Sequence, residues 1–289
     1  YPRLSARRGY WEGHLYLPEG QDVPMPQLTD AGREVAAPLG DGSFELRYHK
    51  FSIVMHKHRR LALFTAANID WRRHRRELDG HKPTRRELTG LPPDTAEEWT
   101  NDPRLADEHQ LPDVFFTEDR ASFDKGHLVR RDDVVWGTSF AEMQKANGDT
   151  YHVTNCSPQT KAFNRASSGI DNWGDLENLV QKQTKQWRAV TFAGPVFADD
   201  DPVFVGEDLA GPVRVPIPRT YWKIVVVRGE QGAEAFGFVL EQNLANVDLE
   251  MVVPERWRRF TKTIAEIEAL CGGLLDLSHL IPFDQHQDA

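Results

Sequence analysis

The chain has 289 residues, 39% of them hydrophobic and 27% charged, with 35 Lys and Arg against 44 Asp and Glu for a net charge of −9. That is enough chain for one large globular domain, too apolar for a disordered protein, and too acidic for one whose whole surface clamps nucleic acid. No apolar run reaches the roughly 20 residues of a membrane-spanning helix, and two cysteines, Cys156 and Cys271, exclude a disulfide-dense scaffold or a cysteine-rich zinc module.

The first 45 residues are rich in Pro, Gly and charge (LPEGQDVPMPQLTD, then APLGDGS). They read as an extension or linker with little regular structure, ahead of a folded domain over 46–289. The opening YPRLSARRGY has neither an initiator Met nor an apolar leader. The expectation is therefore part of a longer, regulated protein, with the cytoplasm favoured as its location. β-Branched and aromatic runs at 51–55 (FSIVM) and 61–69 (LALFTAANI) flank the basic HKHRR and predict a hairpin. Residues 78–112 predict a long loop, and YHVTN at 151–155 reads as a strand. From Trp173 the period becomes helical, with Trp173, Leu176, Leu179, Val180 and Trp187 on one face. VTFAGPVF (190–197), YWKIVVV (221–227) and EAFGFVL (234–240) predict strands. Pro254 then opens a helix that buries Trp257, Phe260, Ile264 and Ile267. The order describes one α+β domain with a central, mainly antiparallel sheet.

Charge is uneven. Residues 47–88 hold 12 Lys and Arg against 4 Asp and Glu, a local +8 that leaves −17 for the rest. Such a run is as often a solvated face as a wall for a polyanion. Arg72 and Arg73 are its candidates for phosphate binding, joined by Lys125, Arg130 and Arg131 further along.

The segment with most chemical content is FDKGHLVRRDD, 123–133. A lone His is usually structural. His127, however, follows a Gly that permits close backbone approach, has an acid three residues before it, and is flanked by basic residues. That suits an imidazole that is neutral near pH 7 and takes a proton from water beside a phosphate. A second segment runs YHVTNCSPQ (151–159), AFNR (162–165) and WGDLE (173–177). A single Asn amide oxygen is a neutral hard ligand that lets Mg²⁺ keep most of its water; the commoner use of Asn is a cap or turn.

Taken together, DKGH, NCSPQ, FN and WGDLE in this order resemble the DNA/RNA non-specific endonucleases of the ββα-metal fold, over about residues 51–280. The resemblance implies a metal-dependent endonuclease acting on DNA, with RNA as a further substrate, and leaving 5′-phosphate ends. It implies His127 as the general base, Asn164 as the direct ligand of Mg²⁺ (or of Mn²⁺ in its place) and Glu177 as holder of metal-bound waters. Asp124 would support the site and Asn155 would position it. Lys125 stands where the family has Arg, losing the bidentate fork. RASSGIDN, between Asn164 and Trp173, is longer than the family spacing, which makes Asn172 a lesser rival to Asn164. Glu97 stands near the place of the family's transition-state Arg, leaving Arg104, or Arg85 and Arg86, as substitutes. A homodimer and a linked or separate regulatory domain complete the expected partners, with no membrane. The competing reading is a nucleic-acid-binding or regulatory module that keeps the fold with little turnover; intact His127, Asn164 and Glu177 weigh against it.

Overall fold

The computed structural model describes residues 4–18, 21–92, 95–117, 123–166, 171–242 and 260–284. In chain order its strands are β1 (Gln27–Leu28), β2 (Glu45–Arg47), β3 (Phe51–His56), β4 (Leu61–Asp70), β5 (Asp124–His127), β6 (Cys156–Gln159), β7 (Arg188–Val196), β8 (Val203–Asp208), β9 (Gly211–Pro216), β10 (Thr220–Arg228), β11 (Ala233–Glu241), β12 (Thr261–Lys262) and β13 (Leu275–Asp276). The helices are α1 (Asp30–Val35), α2 (Arg73–Arg76), α3 (Arg85–Thr89), α4 (Asp113–Thr117), α5 (Arg131–Val134), α6 (Phe140–Asp149), α7 (Lys161–Asn164), α8 (Trp173–Gln183) and α9 (Ile264–Leu270). Seven strands form an antiparallel sheet in the order β12-β11-β10-β7-β4-β3-β2. The β3–β4 hairpin forms around HKHRR as the sequence predicts. The three later runs become β7, β10 and β11.

Side-chain alternation along each central strand supplies both faces of the sheet. On β10, Tyr221 and Val225 join Trp173, Leu176, Phe163 and Leu128 in one core, while Trp222, Ile224 and Val226 join Leu15, Val23, Ile264 and Ile267 in the other. The segment read as an extension contributes Leu15, Val23 and Ala36 to this second core, and β1 pairs with β13 near the other end of the chain. Its hydrophobic residues are sparse, but they fall where the sheet needs a cover.

Three local readings change. YHVTN is not a strand: Val153–Asn155 is a 3₁₀ turn and the strand begins at Cys156, because the buried polar side chains there bond to neighbouring backbone. Trp187 lies beyond α8 and is 67% exposed. The last helix starts at Ile264 with a Thr263–Glu266 capping box; Pro254 and Trp257 lie outside the described residues.

Candidate active site

DKGH becomes β5, and CSPQ becomes β6, its antiparallel partner, with His127 opposite Cys156 and Asp124 opposite Gln159. A Cβ at Gly126 would collide with the buried Gln159 side chain, so only Gly lets that side chain lie across the strand. α7 follows β6 directly and ends in Asn164. Two short strands and a helix thus carry the candidate base His127 and the candidate ligand Asn164 on one compact frame.

Asn155 is fully buried and holds the chain after His127. Its Oδ1 accepts from the Val129 amide at 2.8 Å, and its Nδ2 donates to the carbonyls of Val129 (3.0 Å) and Thr150 (3.1 Å). All three side-chain hydrogen bonds of Asn155 go to backbone groups, two of them on Val129 just after His127. Asp124 works similarly on the other side. Its carboxylate takes Arg165 Nε at 2.7 Å and Nη2 at 2.8 Å, and Asn164 Nδ2 at 3.0 Å. These bonds hold Asp124 below the usual carboxylate range despite burial. The Asn164 amide nitrogen is committed to Asp124, so Oδ1 is the atom left to meet a cation.

The long segment after Asn164 is closed at its base. Asn172 Nδ2 donates to the carbonyls of Ala162 (2.9 Å) and Arg165 (2.5 Å), and Oδ1 caps α8 by accepting from Asp175 N at 2.9 Å. Asn172 is therefore a staple, fully used by protein groups. A Cβ on Gly174 would strike the backbone nitrogen of Ala166, so Gly at this position allows α8 to abut the end of α7. This contact carries Glu177, one turn along α8, to the same cavity as Asn164.

That cavity has a volume of about 220 Å³ and is lined by Arg85, His127, Arg130, Arg131, Asp132, Tyr151, Asn164 and Glu177. His127 sits between aromatic walls: its ring centroid is 4.6 Å from Trp99 and 5.5 Å from Tyr151. Burial, then Arg131 and Arg85, push its pKa down to about 3, so the imidazole is neutral across the physiological range. Glu177 is held by Lys223 Nζ at 3.4 Å and Arg130 Nε at 3.8 Å. Lys223 is itself buried, 4.3 Å from the centroid of the Trp173 ring. Arg85 gives Nε and Nη2 to Glu97 at 2.5 and 2.7 Å, and Tyr151 donates to the same carboxylate at 3.1 Å.

The structure thus brings His127, Asn164, Glu177, Arg130 and Arg131 together at one cavity, with Asp124 and Asn155 behind it. Lys125 ion-pairs with Asp113 and does not line it. Arg104 is bound to buried Asp102 at 2.6 Å and lies against Tyr48; Arg72 is bound to Asp70 at 2.6 Å and Arg73 to Glu77 at 2.6 Å. None of these three lines the cavity. Of the arginines offered in place of the family's transition-state Arg, Arg85 is the one that lines it, beside Arg130 and Arg131. Asp132 and Tyr151 were not singled out, because only the folded loops bring them beside His127. The chemistry available is one amide oxygen with the carboxylates of Glu177 and Asp132 in the same cavity, an all-oxygen set suited to a hard divalent cation that keeps its water.

The fold has a solved counterpart. EndoG, in a complex with its inhibitor EndoGI, aligns with a TM-score of 0.55 at 14% identity, over 81% of this chain and 85% of that one, and places the chain in the ββα-metal fold. The sequence profile of the DNA/RNA non-specific endonucleases matches residues 29–283, and the chain belongs to that family. It is 33% identical over 235 residues to the uncharacterized protein y4fB of Sinorhizobium fredii, covering 78% of this chain and 31% of that protein. It is 27% identical over 155 residues to a nuclease of Nostoc sp. (53% and 50%) and 26% identical over 160 residues to human mitochondrial endonuclease G (53% and 48%). The chain thus spans half or less of the length of these curated relatives. No helix among the described residues is long and apolar enough to cross a membrane.

Proposed function

We propose that this chain is a Mg²⁺-dependent endonuclease that hydrolyses phosphodiester bonds of DNA and RNA, leaving 5′-phosphate ends. The observation that carries the reading is the meeting of a neutral His127 and the amide of Asn164 at one small cavity walled by arginines. His127 takes the proton from a water as that water attacks phosphorus. Arg85 and Arg131 offset the charge that grows on the phosphoryl oxygens, and Glu97 fixes Arg85 in advance, so little reorganisation is needed. Asn164 would hold the cation, with Glu177 in reach of its waters, and the ion would supply Lewis-acid stabilisation of the leaving group. Lys223 and Arg130 hold Glu177 in place. Contacts made to phosphate through Arg and Lys carry no base information, which supports cleavage without sequence preference. The test is plasmid and RNA cleavage with Mg²⁺ and with EDTA. The expected result is metal-dependent nicking of both substrates; no turnover in either, from protein that binds DNA, would favour a binding module instead.

A further inference from the structure

Beside the His127 cavity lies a second one of about 260 Å³, lined by Arg76, Lys82, Arg85, Arg131 and Asp132 among others. It shares Arg85, Arg131 and Asp132 with the first, so the two adjoin at the arginines. We propose that this second cavity is a subsite for a neighbouring phosphate of the same polynucleotide strand, with Lys82 as its specific contact. The proposal rests on the nuclease reading above and extends it to a substrate that must present two phosphates.

Four cationic side chains line the second cavity against the one carboxylate of Asp132, which is bound to Arg131. They are not equivalent. Arg76 is buried and donates to the carbonyls of Asp70, Asp132, Asp133 and Val135; it builds the wall and adds field. Arg85 is turned toward Glu97. Lys82 is exposed and makes no hydrogen bond or ion pair among the described residues. Its backbone is nevertheless firmly placed. Leu78 and His81 exchange backbone hydrogen bonds of 2.8 and 2.9 Å around Asp79 and Gly80, both at positive φ (51° and 80°), a tight turn that Asp-Gly favours. Just after Lys82, Pro83 fixes its own φ and Thr84 caps α3 in a capping box with Glu87. A free ammonium on a flexible stem, launched from a rigid frame next to the reacting site, suits a phosphate whose orientation varies with sequence.

The experiment uses oligonucleotides whose linkages are neutral methylphosphonates except for one phosphodiester, or two adjacent ones. In wild-type protein the second phosphodiester should lower KM several-fold with kcat per bond unchanged. In Lys82→Ala that gain should vanish, while Lys82→Arg should retain it. On unmodified single strands, the log–log salt slope of KM in Lys82→Ala should be shallower by about 0.7, the loss of one phosphate contact. An equal gain from the second phosphodiester in wild type and Lys82→Ala overturns the subsite. Failure of the nuclease reading would look different, as no cleavage of the unmodified oligonucleotide by any of the three proteins.

Discussion

The two faces of the seven-stranded sheet bury different kinds of residue. Along β10 the successive side chains Trp222, Lys223 and Ile224 alternate between them. Trp222 and Ile224 enter a core of Leu15, Val23, Phe192, Ile264 and Ile267. Lys223, equally inaccessible, enters the opposite side and meets Trp173 and Glu177. Close by, Asp133 is buried beneath the cavity, where desolvation lifts its pKa to about 6, and Arg76 is buried over Trp71. One face is built for apolar burial, which stabilises. The other retains charges whose desolvation opposes folding, because they hold Glu177 and the loop that carries Arg130 and Arg131. Stability and activity should therefore separate by face, and substitutions can test that separation.

The largest expected effect is on the site face. His127→Ala should lower kcat by on the order of 10²–10⁴-fold, with a thermal midpoint near that of wild type. Turnover close to wild type in a folded mutant would remove His127 as the base. On the other face, Ile224→Ala should cost about 2–5 kcal/mol in urea denaturation, while kcat per folded molecule stays unchanged; a parallel loss of kcat would show the two faces coupled through β10. A third effect belongs to both faces. His14, His49 and His56 are held at about 4, and His127 at about 3, against an ordinary 6.5, chiefly by burial. The unfolded chain therefore takes up these protons first, and stability should fall as pH drops from 6.5 toward 4. By the same shift, the pH profile of kcat/KM should show no loss from His127 near pH 6.5. Proton uptake on unfolding, measured across that window, checks the sign.

Smaller effects locate the boundary between support and chemistry. Asn172→Ala removes a cap and two further bonds, so about 1 kcal/mol of stability should go, together with a several-fold loss of kcat as Glu177 drifts from Asn164. Sequence spacing alone would have made this substitution mild. Lys223→Met leaves the largely buried carboxylate of Glu177 with Arg130 alone, so it should cost up to about 3 kcal/mol of stability and lower activity by freeing Glu177. A mutant unchanged in both stability and kcat would make Lys223 a bystander.

The antiparallel strands and their faces are legible because alternation and β-branched content are local properties of the chain. FSIVM, YWKIVVV and EAFGFVL needed no partner to be recognised. The ordered motifs likewise marked His127, Asn164 and Glu177, which the structure brings to one cavity. The arginines were harder. In the basic run, Arg59, Arg60, Arg72 and Arg73 are each matched by a carboxylate, at Asp201, Asp208, Asp70 and Glu77. Two of these carboxylates lie more than a hundred residues away, so a local sum of +8 overstates the positive surface. Arg85 and Arg104 look alike in sequence; only the fold turns one to the cavity and ties the other to Asp102. The N-terminal segment was opaque for the opposite reason, since its few apolar residues lie too far apart to show a period.

The staple at Asn172 bears on how the site can change over evolutionary time. Ala162, Arg165, Asn172 and Gly174 pin both ends of the inserted segment by backbone contacts, and closing a longer loop between fixed ends costs only about 0.6 kcal/mol per doubling. The chain between Ala166 and Asp171 can thus change in length while Asn164 and Glu177 keep their spacing. The position beside the candidate active-site cavity is a natural port for insertion, at which new preferences can be acquired without rebuilding the cavity itself.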